Sequence, residues 1–143
     1  MIRSLARRAL PFASGAFVAC AIVQVFLAGL GVFDDPKSFV THREFGYAFG
    51  WLTLVTLVLA LVGRSPRRTV GLAVLLLVAF AFQSVFVAVR ESMPEIAAVH
   101  PLNGFLILAV GVVLTNTAWA ERRVEAPRQD AIAASSAPAT DVG

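Results

Sequence analysis

Cysteine and charged residues are scarce in this chain of 143 residues, and each scarcity excludes a class of protein. Cys20 is the only cysteine, so the chain can form no intramolecular disulfide and no cluster of thiolate metal ligands. Its place within a long apolar run predicts a simple packing role. Charged residues make up 15% of the sequence, well below the share of about 25% in soluble domains. We therefore do not expect a soluble globular protein.

Apolar residues take the place of the missing charge. They make up 58% of the chain, and its mean hydropathy is +0.79. Four stretches carry no charged side chain, and the shortest, of 19 residues, reaches roughly 28 Å as a helix, close to the thickness of the hydrocarbon core. The stretches do not alternate as barrel strands do, so helices are expected. They cover residues 9–33, 45–63, 69–89 and 96–120.

The predicted fold class is therefore all-α, a polytopic four-helix bundle of the membrane. Its transmembrane domain is expected over residues 1–120, with helices at about 9–33, 36–63, 69–89 and 94–120. Residues 121–143 are rich in Glu, Arg, Pro, Ala and Ser and have no apolar periodicity. Such a segment buries too little to offset its ordering entropy, which predicts a disordered cytoplasmic tail.

The distribution of basic residues predicts the orientation. Nine of the twelve Lys and Arg residues fall before helix 1, between helices 2 and 3, or after helix 4, and only Lys37, Arg43 and Arg90 fall on the other face. The positive-inside rule then places both termini in the cytoplasm, in a bacterial inner membrane. The first apolar run is longer than the core of a signal peptide, so an uncleaved first helix is expected. The basic isoelectric point is a topology signal, and no nucleic-acid partner is expected.

An internal repeat carries the two histidines. The pattern is Pro, five residues, His, three residues, Gly and an aromatic, and its copies lie 58 residues apart. With a slip of one residue, Gln24 of helix 1 also matches Gln83 of helix 3. Two parallel helical hairpins related by an axis along the membrane normal would place equivalent residues at equal depth. The copies are Pro36, His42, Gly46 and Tyr47, and Pro94, His100, Gly104 and Phe105.

Two helix boundaries are compatible with the repeat. If Pro36 and Pro94 open their helices, with Asp35 as one N-cap, each His lies one to two turns inside. If Thr41 and Glu44 form a capping box and Pro101 opens the fourth helix, both imidazoles lie at helix mouths. The shared proline spacing favours the deeper placement, and the alternative stays open.

His42 and His100 are the only histidines, and they are the candidate metal ligands. Haem b fits such a pair, because its iron takes two axial imidazoles and needs no other protein ligand. A non-haem ion would need further ligands from Asp35, Glu44 or Glu95.

Other residues of the repeat are candidates for cofactor contacts. Arg43, like Lys37 and Arg90, could pair with haem propionates. Gly46 and Gly104 either leave room for the macrocycle or let helices pack closely. For Gln24 and Gln83, contacts between helices are favoured over hydrogen bonds to a cofactor or quinone.

The four-helix layout, the His42-Arg43 pair opening helix 2 and His100 opening helix 4 resemble one half of the eight-helix haem A synthase family. The chain is also similar to small four-helix bacterial membrane proteins with His-x-x-x-Gly and His-Pro-x-Asn-Gly signatures. The resemblance covers residues 24–119 and implies one haem between His42 and His100. The chain departs from the synthase in having a single half, and in having Phe39 where the catalytic half carries a carboxylate. Haem A synthesis by this chain alone is therefore not expected.

The predicted function is a b-type cytochrome-like membrane protein, active in electron transfer or redox sensing with quinone or a larger redox complex as its partner. The alternative is a non-catalytic scaffold or accessory subunit without a cofactor. No acid–base pair within the membrane, nucleophile beside a base or phosphate-binding loop follows from the sequence, so the chain is not predicted to be an enzyme on its own.

Overall fold

Four long helices form the protein. The computed structural model describes the backbone of residues 1–135 and the side chains of residues 1–124, and this part contains no strand. Each of the four membrane spans is long and apolar enough to cross a bilayer, the fourth over Pro94–Val124. The predicted four-helix membrane bundle is confirmed. Its helices are α1 (Ile2–Phe33), α2 (Ser38–Val62), α3 (Arg67–Ala88), the one-turn α4 (Pro94–Ala97) and α5 (Val99–Ser135).

The helices pack in a closed square. Helix α1 contacts α2 and α5, and α3 contacts the same two helices. Helices α2 and α5 therefore face each other across one diagonal, and α1 and α3 across the other. The hairpin α1–α2 is one copy of the repeat, and α3 with α4 and α5 is the other. This arrangement aims the face of α2 that carries His42 at the face of α5 that carries His100.

An aromatic cluster fills the middle of the bundle. The ring centroids of Phe17, Phe49 and Phe80 lie 5.4 to 5.9 Å from one another. Phe80 lies against Gly50 of α2, where an added Cβ would come within 2.6 Å of the ring. Phe17 lies in the same way against Gly111 of α5, at 3.3 Å. Each hairpin therefore packs one phenylalanine against a glycine of the other hairpin. Small residues permit this close approach of helices in membranes.

The helix ends differ from those expected at both termini of the chain. Helix α1 begins at Ile2, ahead of three arginines, because charge-free length measures the part of a helix in the bilayer and not the whole helix. Helix α5 runs to Ser135, past the expected end at Ala120. Its residues after Ala120 include Glu, Arg, Gln and Ala. These residue types have a high intrinsic helix propensity, so a helix can form there without an apolar face to pack. Of the predicted disordered tail, residues 121–135 are helical instead, and residues 136–143 lie outside the described part.

A break before His100 sets the depth of the second histidine. Proline has no N–H, so Pro101 cannot donate a hydrogen bond to the carbonyl of Ala97, four residues earlier. Helix α4 ends at Ala97, and α5 begins at Val99. His100 thus lies in the first turn of α5, whereas His42 lies one turn inside α2. Neither predicted boundary applies to both helices. Asp35 accepts the N–H of Lys37 at 2.9 Å and so stabilises the turn ahead of α2.

Candidate functional site

The two imidazoles meet across the diagonal of the bundle. The ring centroids of His42 and His100 are 6.2 Å apart, with an angle of 64° between the ring planes. Both side chains are half-buried. They lie at the end of the bundle opposite the chain's N-terminus, because α2 and α5 both begin at that end. The structure thus brings together the two residues that the sequence repeat pairs.

The second ring nitrogen of each histidine is bound to the neighbouring helix. Nδ1 of His42 lies 3.1 Å from the backbone oxygen of Gln24, and Nδ1 of His100 lies 3.2 Å from that of Gln83. A carbonyl oxygen only accepts, so each Nδ1 must carry the proton and donate it. In the neutral ring, Nε2 is then the unprotonated nitrogen. A backbone carbonyl on one ring nitrogen is the usual support for a histidine whose other nitrogen binds a metal.

The glutamine side chains brace the two hairpins in different ways. Gln24 Nε2 donates to the backbone oxygen of His42 at 2.8 Å, so Gln24 holds both the ring and the backbone of that residue. Gln83 Oε1 instead accepts from Asn103 Nδ2 at 2.8 Å, and Asn103 also donates to the oxygen of Ala79. Phe45 occupies the position of Asn103 in the first hairpin. Gln24 Oε1 is accordingly buried without a partner among the described residues. The interhelical use favoured for both glutamines is what these bonds provide.

The glycines of the repeat make room for these glutamines. A Cβ added at Gly46 would lie 2.8 Å from Gln24 Nε2, and one added at Gly104 would lie 3.4 Å from Gln83 Nε2. For these glycines the sequence predicted room for a macrocycle or close helix packing, but not space for a glutamine side chain. The available signal was the match of Gln24 with Gln83 in the same repeat as the glycines.

The outer cations are engaged at the surface. Arg43 contacts Glu44, with Nη2 2.8 Å and Nε 3.1 Å from the same carboxylate oxygen. Arg90 pairs with Glu91 at 3.3 Å, and the side chains of both pairs are more than half exposed. Exposed pairs of this kind contribute about 0–1 kcal/mol, so they can be exchanged for other anions at little cost. A contact between Arg43 and a cofactor stays a prediction.

Aromatic side chains lie on both sides of His42 along α2. The ring of Phe39 lies 6.3 Å from that of His42 and packs against Gly31 of α1. One and two turns deeper on α2, Phe45 and the buried Phe49 stack at 5.3 Å. The imidazoles are therefore followed inward by an apolar floor that excludes water.

The site offers few donor atoms to a metal ion. In the part of the chain with described side chains, no three His, Cys, Asp or Glu residues are placed to hold an ion together. Two imidazoles are what the site offers. An imidazole nitrogen binds a metal at about 2.0–2.1 Å, so two imidazoles on opposite sides of one ion have ring centres roughly 6 to 6.5 Å apart. The observed 6.2 Å lies in that range and is also the distance of an ordinary edge-to-face contact between two rings.

Comparison with known proteins finds one family. Residues 24–89 match the model of a family of unknown function, DUF6220. The match covers less than half of the chain; it begins at Gln24, takes in His42, Gly46 and Gln83, and ends before His100. No curated protein and no solved structure matches the chain. The resemblance to haem A synthase stays a prediction.

Proposed function

We propose that this protein is a b-type cytochrome of the membrane, in which His42 and His100 hold one haem b at the end of the bundle away from the N-terminus. The observation that carries the proposal is the pair of imidazoles 6.2 Å apart, each with Nδ1 bound to a backbone carbonyl. A bound haem b would supply a one-electron iron couple. The function is electron transfer or redox sensing.

The chain's own residues prepare both imidazoles as ligands. The carbonyls of Gln24 and Gln83 fix each ring and its tautomer, and a hydrogen bond at Nδ1 raises the basicity of Nε2. Because each carbonyl lies on a different helix from its histidine, the ring positions depend on the packing of both hairpins. The Phe45 and Phe49 rings keep water from the inner side of the site.

The position of the site predicts where its redox partner binds. The imidazoles lie near one end of the bundle, so a single haem there cannot pass electrons across the whole bilayer. The partner must reach this end from the membrane, as a quinone does, or from the adjacent surface, as a subunit of a larger redox complex does. Five carboxylates and three cations occupy this end, which favours a partner with a basic contact surface.

Replacing either histidine tests the proposal. Protein purified from cells supplied with haem should show the reduced-minus-oxidised spectrum of a low-spin haem with two imidazole ligands. His42→Ala and His100→Ala should each abolish it, because one strong axial ligand is lost. Thr41→Ala and Val99→Ala are matched controls, since these exposed neighbours precede each histidine directly, and both should keep the wild-type spectrum.

Rescue by free imidazole separates a ligand role from a folding role. His42→Gly leaves space beside His100, and millimolar imidazole should restore the two-imidazole spectrum. A merely structural histidine would not respond to added imidazole. Wild-type protein that purifies without pigment, or unchanged spectra in both alanine variants, would contradict the proposal. The scaffold or accessory function would then replace it.

A further inference from the structure

An open cleft lies along the surface of α5 at the other end of the bundle, remote from the histidines. Its volume is about 400 Å³, and Asn116, Trp119, Ala120 and Arg123 of α5 line it. At that end α1 begins, α2 ends and α3 begins, and α5 leaves the membrane-spanning region. The cleft is therefore expected at the level where lipid headgroups meet the protein.

Beside the cleft, a cation packs on the ring of Trp119, which lines it. The guanidinium of Arg122 lies 5.1 Å from the centroid of the Trp119 ring and 5.2 Å from that of Phe12 on α1. Phe12 and Trp119 also meet edge to face at 5.1 Å. Nη1 of Arg122 is buried and has no hydrogen-bond partner among the described residues. The guanidinium packs on the two rings and so holds Trp119 in place beside the cleft.

The charge around the cleft is of one sign. Within residues 1–124 this end carries eight arginines and a single carboxylate. That carboxylate, Glu121, accepts a hydrogen bond from the Thr69 hydroxyl. The arginines are Arg3, Arg7, Arg8, Arg64, Arg67, Arg68, Arg122 and Arg123. Such a surface attracts anions.

The surface that leads away from the cleft is apolar. Val112 precedes Asn116 by one turn and Ala120 by two, so the three lie on one face of α5. Val112 and its neighbour Val113 are exposed, and so is Phe12 on α1. A ligand that fits both parts has an anionic head and a hydrocarbon tail. Tryptophan is enriched at this level of membrane proteins for the same reason.

We propose that this cleft binds the phosphodiester headgroup of an anionic phospholipid, with Arg123 toward the phosphate, Trp119 beside the headgroup and an acyl chain along Val112 and Val113. The site is independent of the histidines and of any cofactor. It would fix the depth and tilt of α5 in the bilayer, because the headgroup is tied to one point on that helix.

Quenching by brominated lipids tests the site, because Trp51 and Trp119 are the only tryptophans. In the full chain carrying Trp51→Phe, Trp119 should be quenched by acyl-brominated phosphatidylglycerol at a mole fraction about fivefold lower than by the matching phosphatidylcholine, the effect of roughly one arginine contact. The matched control is Trp119→Phe, which keeps Trp51 on the lipid-facing side of α2, 70% exposed. Trp51 should be quenched equally by both lipids.

Substitutions and a competing anion identify the ligand. Arg123→Gln should remove the preference, whereas Arg90→Gln at the other end should keep it. Equal quenching of Trp119 by both lipids, or a preference unchanged in Arg123→Gln, would overturn the proposal. So would loss of the preference in millimolar inorganic phosphate, which would indicate a site for a soluble anion.

Native mass spectrometry of wild-type protein from mixed lipid gives a second measurement without tryptophan substitutions. Phosphatidylglycerol should be retained over phosphatidylcholine by the same factor. Equal retention of the two lipids would also overturn the proposal.

Discussion

At the scale of single residues, each hairpin joins a glutamine, a histidine and a glycine into one unit. The glutamine of one helix binds the imidazole through its backbone oxygen, and the glycine one turn beyond the histidine leaves space for the glutamine amide. The first unit is the tighter of the two, because an added Cβ would approach the amide nitrogen to 2.8 Å at Gly46 and to 3.4 Å at Gly104. A methyl group at either glycine therefore tests how closely the parts depend on one another.

Gly46→Ala is expected to displace the Gln24 amide and break its bond to the His42 oxygen. The protein should be less stable than Gly71→Ala by about 1–3 kcal/mol, the cost of leaving a buried polar group unpaired. Gly71 is the matched control, because none of the described residues places an atom within 4 Å of an added Cβ there. Gly104→Ala should fall between the two. The measurement is the free energy of unfolding in mixed micelles.

A double-mutant cycle checks the mechanism. Gln24→Ala removes the displaced amide, so Gly46→Ala should cost less in that background than in the wild type. Strictly additive effects of the two substitutions would show that Gly46 serves helix packing alone.

The sequence predicts the identity of these residues better than their contacts. His42, His100, Gln24 and Gln83 stand out because they recur at one spacing, and recurrence is visible without coordinates. The bonds from Nδ1 to the glutamine backbone, and the space above Gly46, depend on the separation and rotation of two helices. Those quantities follow from packing of the whole bundle, to which Phe17 and Phe80 contribute as much as the repeat does.

At the scale of elements, one polar tie joins α3 to α5 at the arginine-rich end. The hydroxyl of Thr69, which is fully buried in the first turn of α3, donates to the carboxylate of Glu121 on α5. A carboxylate near the N-terminus of a helix is also favoured by the helix dipole. The tie thus combines a charge-assisted hydrogen bond with a favourable electrostatic position.

Thr69→Val is expected to lower the free energy of unfolding by about 1.5–3 kcal/mol, the range for hydrogen bonds to charged groups. Glu121→Gln keeps an acceptor but loses the charge, so its effect should be smaller. The control is Thr117→Val, because the Thr117 hydroxyl donates to Val113 within α5. Denaturation in mixed micelles measures all three. Equal stability of Thr69→Val and Thr117→Val would contradict a role for the tie.

The ends of the helices could be predicted from the sequence where they lie at the bilayer surface. They were harder to predict where a helix extends into water. The ends of α1 and α2 that face the His site lie at or near the expected residues, since Asp34 and Lys37 end the apolar runs there. The start of α1 and the end of α5 extend beyond the bilayer length, where helix propensity and capping decide and charge gives no boundary. The break between α4 and α5 follows from the missing N–H of Pro101. The shared spacing of Pro36 and Pro94 favoured a continuous helix from Pro94 instead.

At the scale of the whole molecule, the bundle has two ends of opposite charge. Within residues 1–124, eight arginines and one carboxylate lie at the N-terminal end, whereas three cations and five carboxylates lie at the end that holds the histidines. Contacts across the helices fix this separation in space: Arg7 of α1 donates through Nε to the oxygen of Gly63, at the end of α2, at 2.6 Å. Because α3 begins at that same end and α5 returns to it, both hairpins run in the same direction.

That separation predicts the orientation in the membrane, because basic residues next to short loops are retained in the cytoplasm. We expect the arginine-rich end, and with it both ends of the chain, on the cytoplasmic side. A reporter that is active only outside the cytoplasm should be inactive when fused after Gly143 and active when inserted after Pro36, in the α1–α2 turn. The reverse pattern would contradict the orientation. Activity at both positions would indicate dual insertion, which the difference of charge between the two ends opposes. The expected result would place His42 and His100 near the outer face and the arginine-lined cleft at the cytoplasmic leaflet.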